Sequence, residues 1–103
     1  MGNLAEAEAD YSKALDIQEK LVAQFPAVSA YRFDLALSHH GLAELISELG
    51  KKTDAERHLV LAKDTLSKLL AESSANPQHL HELASVYTDL GDLFSSNPGV
   101  WMG

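Results

Sequence analysis

Five histidines stand among fifteen carboxylates in a chain of 103 residues that has no cysteine. The first chemistry to weigh is therefore that of imidazole beside carboxylate, either metal ligation or proton transfer. On a helix, two ligands share a face only at i, i+3 or i, i+4 spacing. His39-His40 and His79-x-His81 are adjacent or i, i+2 and point apart. The usable pairings are His40 with Glu44, Asp54 with His58, and His79 with Glu82. Each offers two ligands and spacing supplies no third, so no metal site and no cofactor is expected. The histidines read as structural or solvent-facing. Nucleophilic catalysis has less support, because the chain has no Gly-x-Ser-x-Gly elbow, no Gly-rich phosphate loop and no thiol. A non-enzyme is expected.

Composition narrows the partners. A formal net charge of -7 argues against nucleic acid and anionic membrane, both of which call for a basic face. Without cysteine there is neither a disulfide framework nor a thiolate site. No signal peptide and no apolar run of membrane-spanning length is visible, so a soluble, cytoplasmic chain is expected. The length suits one domain with a modest core and a shallow surface site.

Any such site must be positioned by helices. Asn3 with Glu6 and Thr53 with Glu56 are polar-x-x-Glu capping patterns that predict two helix starts. The first predicted helix carries Ala7, Tyr11, Ala14, Gln18, Leu21 and Phe25 and stops before Pro26. The third carries Ala55, Leu59, Ala62, Leu66 and Leu69 and fades in the polar Ser73 to Asn76 stretch. Ser29 is expected to cap a second helix with the stripe Leu35, Ala36, His39, Leu42, Ala43 and Ile46, closed by Gly50. Asn76-Pro77 opens a fourth, with Leu80, Leu83, Ala84, Tyr87, Leu90, Gly91 and Phe94, and Asn97-Pro98 ends it. No segment alternates with period two, so the fold class is all-α.

The helices come in two copies. Shifted by 48 residues, Gly2, Ala7, Glu8, Ala14, Asp16, Lys20, Leu21, Ala23 and Ala27 return as Gly50, Ala55, Glu56, Ala62, Asp64, Lys68, Leu69, Ala71 and Ala75. Leu35, Ala36, Leu42, Leu45 and Ser47 return as Leu83, Ala84, Leu90, Leu93 and Ser95. A fixed period of this size marks a stacked array, in which each unit hides its apolar face against its neighbours. The repeat domain spans 1–97, with units 2–49 and 50–97, and 98–103 is an irregular tail. Such an array is expected to serve as a binding scaffold.

Tyr87-Thr88-Asp89-Leu90-Gly91-Asp92-Leu93-Phe94 resembles the tetratricopeptide signature Trp-x-x-Leu-Gly-x-x-Tyr. His39, Leu42, Ala43 and Ile46 form a worn copy in the second helix. Gly50, Ala55, Leu59 and Ala62, and more closely Gly2, Ala7, Tyr11 and Ala14, resemble the family's turn glycine and second-helix pattern. The ordinary repeat has 34 residues; the 14 extra here equal about four helical turns, shared between the two helices. This is similar to the long-helix variety found in arrays of bacterial signalling proteins. The resemblance implies antiparallel hairpins of an α-α superhelix, here in B-A-B-A order, and a protein-protein interaction module that is a fragment of a larger array.

It also implies a groove along the A helices. By motif position its side chains are Leu37, His40, Glu44 and Ser47 from the second helix and Ser85, Thr88, Asp92 and Ser95 from the fourth. Arrays that clamp a partner's C-terminal carboxylate use lysine and asparagine where this chain has His40, Glu44, Thr88 and Asp92. A basic or neutral peptide or protein is the expected partner. The first alternative is self-association without a peptide ligand; the second, from another class, is a metal-binding helical bundle, which would need a third ligand that spacing does not supply. In the B-A-B-A phase, Leu83, Tyr87, Leu90 and Phe94 face a B helix that the fourth helix lacks, and Gly91 is expected at a tight helix contact. A homo-oligomer through the end helices follows, unless the first helix folds back to close a four-helix bundle.

Overall fold

The computed structural model describes residues 3–72 and 76–95. Among them there is no strand, and four helices follow one another: α1 (Leu4–Gln24), α2 (Ser29–Glu48), α3 (Lys52–Glu72) and α4 (Pro77–Ser95). Both bounds of α1, moved by 48, are the bounds of α3, and the start of α2 so moved is the start of α4. The 48-residue shift thus relates three helix bounds.

Local chemistry explains most of the boundaries. Asn3 Oδ1 accepts the amides of Ala5 and Glu6 at 3.1 and 3.2 Å, and Asn76 Oδ1 accepts those of Gln78 and His79 at 2.9 and 3.3 Å. Each cap contributes about 1 kcal/mol. Pro77 fits the first turn of α4, where its missing N–H has no partner to lose. At the end of α2, Gly50 adopts φ 85°, and the Gly50 and Lys51 amides donate back to the Ser47 and Ile46 carbonyls. That pairing closes the helix and needs a residue free to turn left-handed. Two expected caps are corrected. Ser29 is the first residue of α2 and Val28 precedes it without a side-chain bond, while Thr53 lies inside α3. The expected stop at Asn97-Pro98, the tail 98–103 and residues 73–75 of the polar stretch lie outside the described residues.

The core is built chiefly on α2 and α3. Ala55, Leu59, Ala62, Leu66 and Leu69 are all buried, and their alternating four- and three-residue spacing makes one continuous face, narrow at the alanines, against which α2 lies. α2 is buried on more sides, from Ala36 to Ile46, because α1, α3 and α4 all approach it. α1 packs on α2 and α4 on α3, whereas α1 and α4 make no close approach. The first helix therefore does not fold back to close a bundle. The stack is a slab of 43 × 32 × 21 Å.

α4 departs from expectation in which of its faces is covered. Val86 is fully buried and His79 nearly so, and Leu83, Leu90 and Leu93 pack on the core. Leu80, Tyr87 and Phe94 are 51%, 54% and 46% exposed. Of the four residues assigned to self-association, Leu83 and Leu90 are thus turned to the core, and only Tyr87 and Phe94 are open. Gly91 is also corrected, since a Cβ there would meet nothing within 4 Å. The close approach occurs at Gly41, where a Cβ would fall 2.6 Å from the Tyr11 hydroxyl and 2.8 Å from its ring. The amphipathic period of α4 defines its apolar stripe, but the neighbours present decide which edge of that stripe is buried.

Candidate functional site

Where α2 crosses α4, the two helices hold an imidazole among carboxylates. His40 is buried. Its Nδ1 is hydrogen-bonded to Glu82 of α4, and its Nε2 lies 2.7 Å from Asp89 Oδ2 and 3.4 Å from Glu44 Oε2, one turn along α2. Burial alone would lower the His40 pKa, but the hydrogen bonds to Glu82 and Asp89 outweigh it and raise it. Burial, and then the neighbouring Asp89 carboxylate, raise the Glu44 pKa. One nitrogen and two carboxylate oxygens, from His40, Glu44 and Asp89, lie within 4.8 Å of one another. Spacing had supplied only two of these ligands; the third comes from the helix crossing.

Glu44 and Asp89 open onto a groove of about 800 Å³ between α1, α2 and α4, whose walls include Tyr11, Ser47, Glu48 and Asp92. The described residues lining it include no lysine or arginine. Of the expected groove residues, Glu44, Ser47 and Asp92 are in this wall. His40 stands behind it as the anchor of the carboxylates and does not line it. Leu37, Ser85 and Thr88 are outside the groove lining, and the Thr88 hydroxyl donates to the Ala84 carbonyl of its own helix. Ser95 ends α4, and its side chain lies outside the description. Glu48, Glu82 and Asp89 are the functional candidates that the motif positions missed. Glu82 and Asp89 are 42 and 49 residues from His40, where helical spacing within α2 carries no signal.

The adjacent histidine turns the other way. His39 Nδ1 and His58 Nδ1 are 2.9 Å apart, so one ring donates and the other accepts. Burial, with the neighbouring His58, lowers the His39 pKa to about 4. At the far end of α2, the Arg32 guanidinium grips the Glu72 carboxylate through two bonds of 2.8 and 2.6 Å, tying the start of α2 to the end of α3.

A family model described as "Protein of unknown function (DUF2753)" matches residues 1–90. The chain belongs to this DUF2753 family. The matched span takes in His40, Glu44, Glu82 and Asp89, and so the whole imidazole-carboxylate cluster of this DUF2753 chain. No curated protein and no solved structure matches it.

Proposed function

We propose that this chain is a tetratricopeptide-like interaction module that binds a basic or neutral segment of a partner protein in its acidic groove, in the cytoplasm. The observation that carries the reading is a helical hairpin stack with a 48-residue period whose groove wall includes Glu44, Glu48, Asp89 and Asp92 and no described cation. In such stacks each hairpin contacts only its neighbours, which leaves an extended surface for a ligand. The carboxylates attract a cationic segment and repel an acidic one, with a strength that falls as salt rises.

Fluorescence anisotropy with lysine-rich and glutamate-rich peptides of equal length tests the reading. The lysine-rich peptide is expected to bind, to weaken with added salt, and to lose at least tenfold in affinity when Glu48→Lys and Asp92→Lys are combined. Equal binding of the acidic peptide, or indifference to the double reversal, would end it.

One observation favours a second reading, self-association. Moved back by 48 residues, the open Tyr87 and Phe94 of α4 become His39 and Ile46 of α2, both buried, and His39 touches His58 of α3. The face that α3 covers on α2 is the face that no described helix covers on α4.

A further inference from the structure

The imidazole-carboxylate cluster is assembled in the manner of a metal centre. Metal-bound histidines usually donate their second ring nitrogen to a carboxylate, which fixes the tautomer and the ring plane. Here Glu82, whose side chain is only 15% exposed, holds Nδ1 of His40 and so presents Nε2 toward Asp89 and Glu44. Around a tetrahedral ion with bonds of about 2.0–2.2 Å, neighbouring donors stand roughly 3.3–3.6 Å apart. The Nε2 to Glu44 separation of 3.4 Å already suits that geometry, and the 2.7 Å to Asp89 must open by roughly 0.6–0.9 Å, a side-chain rotation of the carboxylate. Glu44 is 61% exposed on its side chain and lines the open groove, which gives an ion a path in and the site a ligand free to adjust.

We infer that His40 Nε2, Glu44 and Asp89 form a binding site for a divalent first-row transition cation, with Glu82 as the carboxylate that orients His40. The donor set of one imidazole and two carboxylates suits Zn²⁺ and its neighbours in the row, and it lacks the thiolate that would draw Cu(I). Three protein donors leave at least one position toward the groove for water. On binding, the Nε2 proton passes to solvent while the Nδ1 proton stays on the hydrogen bond to Glu82. The dication takes over the separation of the Glu44 and Asp89 charges. This inference stands apart from the peptide reading, since it requires no partner.

The test is isothermal titration calorimetry of the full chain with Zn²⁺ and, separately, Mg²⁺, together with the visible spectrum of the Co²⁺-loaded protein. One Zn²⁺ per chain is expected at micromolar affinity or tighter, with Mg²⁺ at least a hundredfold weaker and Co²⁺ d-d bands that saturate at one equivalent. Glu44→Gln and Asp89→Asn should each weaken Zn²⁺ at least tenfold. Because Glu44 is exposed, its variant tests the site without disturbing the core, and circular dichroism of both variants checks their folding. Equal Mg²⁺ and Zn²⁺ binding would reduce the site to a diffuse acidic surface. Zn²⁺ binding lost in His58→Gln but kept in Glu44→Gln would move it to the opposite face of α2. Either result, or no binding below millimolar concentration, overturns the inference.

Discussion

His39 and His40 share a peptide bond and prefer different protonation states, His39 neutral and His40 cationic. His40 sits between carboxylates that favour its cation, whereas His39 is buried beside a second imidazole that disfavours one. The cleft around His39 holds Glu8, Asp16 and Glu19 of α1 and Asp54, Arg57 and His58 of α3, and none of the acids reverses the burial. With its folded-state pKa lowered to about 4 against an ordinary 6.5, His39 supports the fold fully above pH 6.5, and that support is lost as pH falls toward 4. In that interval the unfolded chain takes up a proton that the folded chain refuses. His58, lowered chiefly by burial and then by Arg57, acts in the same direction. Thermal melts between pH 7.5 and 4 are expected to show Tm falling below about 6.5. His39→Leu should flatten that fall by at most about 3 kcal/mol of pH-dependent stability. An identical pH slope in the variant would show that His39 is not the group responsible. His40 contributes oppositely, with its support complete below pH 6.5 and lost as pH rises through its raised pKa.

At the scale of the elements, two glycines inside helices, one against a neighbouring side chain and one in the open, predict opposite results. Gly41 is where α1 settles onto α2, and Tyr11 fills the space that a side chain would take. Gly41→Val should displace the ring and destabilise by about 1–3 kcal/mol. Gly91 faces open space inside α4, so Gly91→Ala should gain up to about 1 kcal/mol from helix propensity alone. Urea titration of both variants measures the pair; a destabilised Gly91→Ala would return the tight contact to α4. The sequence placed a glycine contact in the signature of α4, and the structure places it in α2, because a period names the residues on a stripe and not the helix that will lie against them. The same limit explains Val86 and His79, which are buried at the edge of the expected stripe. Ends governed by neighbouring residues were legible, as at Asn3, Gly50 and Asn76-Pro77. Ser29 and Thr53 misled because a hydroxyl residue is accepted within the first turn as well as at the cap. His40 with Glu44 was legible at i, i+4, while Glu82 and Asp89 came into reach only through the α2 and α4 crossing.

For the whole molecule, α4 keeps an open apolar face. Full burial of a large apolar side chain stabilises by roughly 1.5–3 kcal/mol, and Leu80, Tyr87 and Phe94 are each about half exposed. A second copy offering α1, whose bounds match those of α3, supplies a helix of the kind that covers the corresponding face of α2. Light scattering at tens of micromolar is expected to give a mass above the monomer, reduced to the monomer by Tyr87→Glu with Phe94→Glu. A monomer unaffected by the pair would leave that face to another occupant. The absence of any close approach between α1 and α4 has a mechanical meaning as well. Helix contacts run between sequence neighbours and, at a few positions, between α2 and α4, so no long segment must close on a distant one before the fold is rewarded. Tension between the ends would pass from interface to interface, as along a coil spring, with the α2 and α4 contact as a bridge across α3. The α2 and α4 crossing is where His40, Glu82 and Asp89 bridge two coils, and a charge bound there would act as a stiffener of the spring.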